Sequence, residues 1–350
     1  MGFSIYDEEY SLLLPACFKP APGELLSSWL TRLAYNHFQR SYNFTKLLLK
    51  DTQVWNRDID RSASNELLGK IAARTNTTLE ELKQTLLTSY EGKLFCQTAP
   101  NGFFKWLWPM GAFCHARNRY GLAFCPQCLQ NDGSMPYFRK QWRIALYTTC
   151  PWCGHYLQEG CPQCKSPVIF YRSELTRSFR DTPSRVTTCY KCSLDLADCP
   201  VKPAPALFHH VQRHYHLILE EGLSEKLFYP HLYFDVIYQL NQLIFNIRKP
   251  GQLVRNKLSK EIPIDFNFHQ GHRSTNRFTY FPIEEKAKVL YAAWWLLEEY
   301  PERFVRFFRD LKLDGHQLLK VKDEIPFWYW QPVSENLYVP SAGWRLGNVT

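Results

Sequence analysis

No apolar run in the chain reaches the ~18 residues needed to cross a bilayer, so no membrane-spanning helix is expected. The opening residues, MGFSIYDEEYSLLLP, have neither a basic start nor a small-residue cleavage site. Gly2 also lacks the Ser or Thr at position 6 that favours myristoylation. A cytoplasmic protein is expected. Enzyme motifs are missing as well: there is no P-loop, no G-x-S-x-G and no H-E-x-x-H. The zinc-deaminase pattern, H-x-E followed by P-C-x-x-C, is absent too. With no motif supplying a carboxylate cluster or a nucleophile–base pair, the expected protein is not an enzyme. No tandem repeat stands out beyond paired cysteines.

Cysteine, by contrast, is plentiful: twelve in 350 residues. In a reducing compartment, Cys-x-x-Cys spacing favours metal ligation over disulfides, which would require secretion. The formal charge of +9 is uneven, with residues 1–100 at 0, 101–200 at +6 and 201–350 at +3. The excess sits where the cysteines are, and such basicity suits a polyanionic partner such as DNA or RNA.

Length allows two or three domains, and 45% apolar with 16% aromatic residues marks a globular chain. Residues 1–98 read as a helical domain. In GELLSSWLTRLAYNHF, apolar residues recur at four-residue steps, a turn is expected at Arg40–Asn43, and FTKLLLK suggests a short helix. NELLGKIAARTNTTLEELKQTLL predicts two helices broken at TNTT, with Thr77 and Glu80 at capping-box spacing. That is a helix-turn-helix outline, although Glu80 and Glu81 at the start of the second helix suit docking better than DNA reading. Residues 99–200 hold the cysteine pairs, approached by an aromatic linker. Residues 201–350 read as helical, interrupted by a polar, basic loop from Ile247 to Phe278 and closed by an unperiodic apolar tail. The expected class is mainly α with a little β: a helix-turn-helix-like domain, two tandem zinc ribbons and a C-terminal helical domain.

The pairs are Cys125/Cys128, Cys150/Cys153, Cys161/Cys164 and Cys189/Cys192. Each can form a knuckle that turns two thiolates to one side, and two knuckles give a tetrahedral four-thiolate shell suited to Zn²⁺. Pairing in sequence order yields C-x2-C-x21-C-x2-C and C-x2-C-x24-C-x2-C, two structural zinc ions per chain. The alternative joins the two central pairs and leaves the outer pairs to meet, at a higher closure entropy. His155 is an alternative ligand to Cys153. Cys114, His115 and Cys199 lack properly spaced partners, and Cys17 and Cys96 read as buried apolar residues. Between the pairs, YFRKQWRIALYTT and VIFYRS read as ribbon strands, with Trp142, Ile144 and Leu146 on one face. Candidate nucleic-acid contacts are Arg117, Arg119, Arg139, Lys140 and Arg143 in and before the first ribbon. Arg172, Arg177, Arg180 and Arg185 belong to the second, and Arg255, Lys257 and Arg273 to the basic loop.

The order of these motifs resembles the TniQ/TnsD family of transposition target-selection proteins. The matching stretches are PGELLSSWLTRLA, GLAFCPQCL, QWRIALYTTCPWCGHYL and EGCPQCKSPV, within about residues 20–200. The resemblance implies a non-enzymatic adaptor that marks the insertion site and recruits an AAA+ ATPase regulator. Some relatives bind target DNA directly; others ride, often as homodimers, on an RNA-guided Cascade complex. Two other function classes stand beside it: a stand-alone zinc-ribbon and helix-turn-helix transcription regulator, and a zinc-ribbon enzyme subunit such as a nuclease or polymerase accessory.

Overall fold

The four-residue apolar steps near the N-terminus do wind into a helix. In the computed structural model, α1 (Leu26–Asn36) buries Leu26, Trp29, Leu30, Leu33 and Ala34 completely. The structure describes residues 13–49, 54–97, 104–108, 121–172, 185–222, 229–268, 278–313, 315–319 and 325–337. Two compact units emerge, one from residues 1–89, 98–144 and 157–201, the other from 90–97, 145–156 and 202–350. The first unit gathers the N-terminal helices and much of the cysteine-bearing region.

Helix α2 (Ser41–Leu48) packs on α1 and begins at Ser41, so the chain turns at residues 37–40 and not at Arg40–Asn43. A short α3 (Ile59–Ser62) also meets α1. Then α4 (Asn65–Thr75) ends on Asn76, whose left-handed backbone (φ 48°) reverses the chain into α5 (Leu79–Gln84). The cap of α5 lies one residue later than its spacing suggested. Thr78 accepts from the Glu81 N–H while the Glu81 carboxylate accepts from the Thr78 N–H. Thr77 is buried instead, its hydroxyl donating to the Thr75 carbonyl.

The expected ribbon strands do not form among the described residues. A single 3-10 turn occupies Lys140–Arg143 and another Phe170–Arg172, while β pairing is limited to isolated bridges such as Phe124–Gln158 and Thr188–Asp195. The physical reason is that the backbone closes on itself. The Trp142 and Ile144 N–H groups donate to the Arg139 and Gln141 carbonyls three residues back, and a strand ladder would need them free. Trp142, Arg143, Ile144, Ala145, Leu146 and Tyr147 are all at most 1% exposed, so the alternation read from the sequence does not separate a buried face from an exposed one.

In the second unit, α10 (Ile283–Glu298) packs against α7 (Ala206–His216), α8 (Pro230–Phe245) and α11 (Glu302–Leu311). Tyr215 of α7 is fully buried and donates to the Leu290 carbonyl of α10. A π-helical turn, Leu217–Glu221, extends α7, and Glu220 on it accepts from the buried Tyr90 hydroxyl at 2.7 Å. The segment expected as a basic loop contains a thirteen-residue helix, α9 (Lys249–Glu261). Pro250 sits in its first turn, where a missing N–H costs nothing. Gly251 lets α9 approach α8 closely, since a Cβ there would stand 2.0 Å from the Asn246 carbonyl oxygen. After a short α12 (Gly315–Leu318), the tail from residue 325, expected to be irregular, forms α13 (Phe327–Asn336). The class is therefore mainly helical with little β, as expected. No helix among the described residues is long and apolar enough to cross a membrane.

Candidate metal centres

Two groups of four cysteines draw their sulfurs together. Within Cys125, Cys128, Cys150 and Cys153 all four sulfurs lie within 4.8 Å of one another, and the same holds for Cys161, Cys164, Cys189 and Cys192. This is pairing in sequence order; the alternative that joined the two central pairs is not what forms. The His155 side chain is not part of either group.

Local backbone chemistry explains how each pair presents its thiols. In three knuckles the first cysteine N–H donates to the carbonyl five residues on: Cys150 to His155 at 2.7 Å, Cys161 to Ser166 at 2.9 Å, Cys189 to Leu194 at 2.8 Å. The residue after the second cysteine donates back to the first cysteine's carbonyl, from Gly154, Lys165 and Ser193 at 2.9–3.0 Å. Those three residues all take left-handed backbones, with φ of 70°, 57° and 73°. Only glycine adopts that region without steric cost, so Lys165 and Ser193 are held there by the turn. The knuckle of Cys125 and Cys128 is built differently. Cys125 caps α6 (Pro126–Asn131), and Leu129 donates to the Cys125 carbonyl as the helix begins.

In the second group, Cys161 and Cys192 sulfurs are 3.4 Å apart and those of Cys164 and Cys189 3.7 Å. A tetrahedron with metal–sulfur bonds of about 2.3 Å has edges of about 3.8 Å, so the spacing fits a four-thiolate shell. No described cysteine is in a disulfide. Burial alone would raise the Cys164 thiol. Hydrogen bonds from the Ser166 hydroxyl and N–H and from neighbouring cysteines outweigh it and bring the group to about 6. The donor set is thus soft and clustered, and both groups can hold a metal ion.

The cysteines outside these groups behave as single residues. Cys199 is buried, which pushes its thiol up to about 11. Cys17 and Cys96 are exposed, against the expectation of burial; the Cys17 thiol donates to the Thr75 carbonyl at 2.9 Å. Cys114 and His115 lie outside the described residues.

The remaining motif residues build the scaffold of the first unit. Glu24 is fully buried, which raises its carboxyl. Arg32 at 2.6 Å, the Ser28 hydroxyl at 2.9 Å and the Ala21 N–H act against that rise. Ser28 in turn accepts from the Phe138 N–H at 3.0 Å. Trp142 is edge-on to Phe138 and covered by the Arg139 guanidinium.

Several arginines and lysines offered by the sequence to phosphate point inward instead. Arg143 is 1% exposed and bonds Asp58 and Asp60. Arg139 forks onto Asp132 at 2.7 and 3.0 Å and lies over Tyr137. Lys140 is buried and donates to the Ser89 hydroxyl. Arg255 donates to the Ile244 and Asn246 carbonyls, and Lys257 to the Phe307 carbonyl and Asp310. The partners of Arg143 and Lys140 come from positions more than fifty residues away, and Arg255 and Lys257 sit on a helix the sequence read as loop, so spacing alone did not expose those contacts. Arg172 is half-buried at the end of its 3-10 turn. Arg185 is 57% exposed, 3.8 Å from Asp195. Arg117, Arg119, Arg177, Arg180 and Arg273 lie outside the described residues.

Among curated proteins, none matches the chain significantly. Residues 15–157 match the sequence profile of the TniQ family, a stretch that includes the first cysteine group, the Glu24–Arg32 element and Arg143. The second cysteine group and helices α7 to α13 lie beyond the matched stretch. Over residues 15–157, then, the chain is similar to the TniQ family.

Proposed function

We propose that this chain is a non-enzymatic target-selection adaptor of a transposon. It engages target DNA or an RNA-guided Cascade complex and recruits the AAA+ ATPase that regulates transposition. The observation that carries this reading is the TniQ match over residues 15–157, supported by the buried Glu24–Arg32 and Asp58–Asp60–Arg143 networks of that same stretch. Each cysteine group would hold one structural Zn²⁺ with a closed shell, leaving no open position for a substrate water. Helix α5 is six residues long and starts with Glu80 and Glu81 in its first turn, a surface suited to protein docking more than to phosphate. That composition speaks against a promoter-reading regulator built on α4 and α5.

The test is affinity capture with the purified chain and the AAA+ ATPase encoded with it, with and without nucleotide and target complex. Nucleotide-dependent capture is the expected result. A chain that ignores the ATPase and footprints a promoter by itself would overturn the adaptor reading in favour of a transcription regulator.

A further inference from the structure

The positive charge of the C-terminal region is concentrated on two helices. Residues 248–261 carry a net +4 and residues 302–312 a net +2, whereas 201–350 as a whole is only +3. The remainder of that region is therefore acidic, and α9 and α11 stand out from it. They are joined by Lys257 of α9, which donates to the Phe307 carbonyl and to Asp310 of α11 at 3.0 and 2.8 Å.

The faces of α9 divide cleanly. Gly251, Val254 and Leu258 are buried, while Lys249, Gln252, Asn256 and Lys260 are exposed. At about 100° per residue the exposed row lies about 170° around the helix from the buried one. Arg255 and Lys257 fall on the two flanks, which is why they reach backbone and carboxylate partners of the unit itself. The nearby acids Glu261 and Asp310 are both engaged by Lys257. The outward lysines are thereby left without a neutralising neighbour. Among the described residues, the side chains of Lys249, Asn256 and Lys260 form no hydrogen bond or ion pair, and Arg306 is close enough to Asp310 only to help lower its carboxyl.

We propose that the outward face of α9 seats in the major groove of B-form duplex DNA. In this pose Asn256 faces base edges together with Gln252, which exchanges its 3.2 Å bond to the Ile247 carbonyl for a base, and Lys249 and Lys260 clamp the flanking phosphates. Arg306 and Arg309 of α11 add backbone contacts, Arg309 exchanging its bond to Asn336 for a phosphate. The two lysines are eleven residues apart, about 16 Å along the helix, which brackets a groove about 12 Å wide. Two amides one helical turn apart at the centre are the side chains that pair with adenine edges. A-form RNA is a poor fit, because its major groove is too deep and narrow to admit a helix. This inference rests on the adaptor reading only in identifying the DNA as target DNA; the groove fit stands on α9 itself.

The test uses the full zinc-loaded chain and a duplex of about three helical turns, followed by fluorescence anisotropy between about 50 and 200 mM salt. The Lys249→Ala/Lys260→Ala variant should bind at least tenfold more weakly. Its plot of log affinity against log salt should be shallower by about 1.8, the share of two phosphate contacts. Both lysines are exposed, so its melting curve should match that of the parent. Lys70→Ala, an exposed lysine on α4, should change neither binding nor slope. Double-stranded RNA of equal length should compete at least tenfold less well. Unchanged affinity and slope in the double variant would overturn the proposal, as would equal competition by RNA or absence of duplex binding at low salt. Capture of the AAA+ ATPase is read separately. If capture persists while DNA binding fails, only this inference falls; if capture fails while DNA binding holds, the adaptor reading falls instead.

Discussion

Arg143 Nη1 stands 3.2 Å from Asp60 Oδ2, with both side chains 1% exposed. Asp58 takes the other nitrogen at 2.6 Å, and the Trp108 carbonyl accepts from Nη2 as well. One guanidinium thus ties the start of α3, through its cap Asp58 and Asp60 in its first turn, to the 3-10 turn Lys140–Arg143. Removing one partner of a buried ion pair leaves the other charge uncompensated, at a cost of about 3–5 kcal/mol. Arg143→Ala should lose that much in chemical denaturation. Arg143→Lys should recover only part of it, because an ammonium cannot fork onto two carboxylates. Adding Asp60→Asn to Arg143→Ala should restore stability by removing the stranded charge. A double variant less stable than Arg143→Ala would refute this account.

Asp60 titrates unusually. Burial raises its carboxyl from the ordinary 3.8 to about 6; Arg143 and the Ser27 N–H and hydroxyl oppose the rise, and Asp58 reinforces it. A raised folded-state pKa means that the folded chain holds the proton more tightly than the unfolded chain. The stabilisation is fully present below 3.8 and is lost as pH rises through about 6. Relative to Asp60→Asn, the parent should lose stability between about pH 4 and 6, with a constant difference above that range. Urea denaturation at fixed zinc, read as a difference between the two proteins, isolates this group from the cysteines. A difference that grows in the opposite direction, or not at all, would remove Asp60 as the source.

The three left-handed knuckle residues make a paired prediction. Gly154 needs no Cβ at φ 70°, and one placed there would meet the His209 ring at 3.3 Å. Gly154→Ala should therefore destabilise by about 1–2 kcal/mol. Ser193 bears the same conformation with a side chain, so Ser193→Gly should relieve strain and leave stability unchanged or raised by up to about 1 kcal/mol. Thermal melts of the two metal-loaded variants distinguish them; equal losses would mean that backbone conformation is not what matters at these turns.

Legibility in the sequence followed how local each signal was. The α1 face was readable because its stripe repeats within one helix, and the pairing of knuckles because short loop closures win. The ribbon strands misled because Trp142, Ile144 and Leu146 alternate with residues that are just as buried. Helix α9 was hidden by Pro250 and Gly251, read as breakers, although one lies in the first turn and the other at a close helix crossing. Helix α13 was obscured by Pro332 within it. The inward turn of Arg143 could not be read at all, since its partners Asp58 and Asp60 lie more than eighty residues away.

Metal content separates the two cysteine groups. The purified chain should carry two zinc ions, and Cys125→Ser and Cys189→Ser should each carry one, because each removes a ligand from a different group. Cobalt substitution should show thiolate-to-metal charge transfer in the parent and a weaker band in each variant. Chelation should lower the melting temperature steeply, since a structural site contributes on the order of 10 kcal/mol to folding. The two losses differ in consequence. Cys125 and Cys128 lie at and in the first turn of α6 within the TniQ stretch, whereas Cys189 and Cys192 lie beyond it. Cys189→Ser should therefore spare more of the ATPase capture than Cys125→Ser does. Retention of two ions in either variant would mean that the mutated cysteine is not a ligand, and loss of both ions from one substitution would mean that the groups do not fold independently.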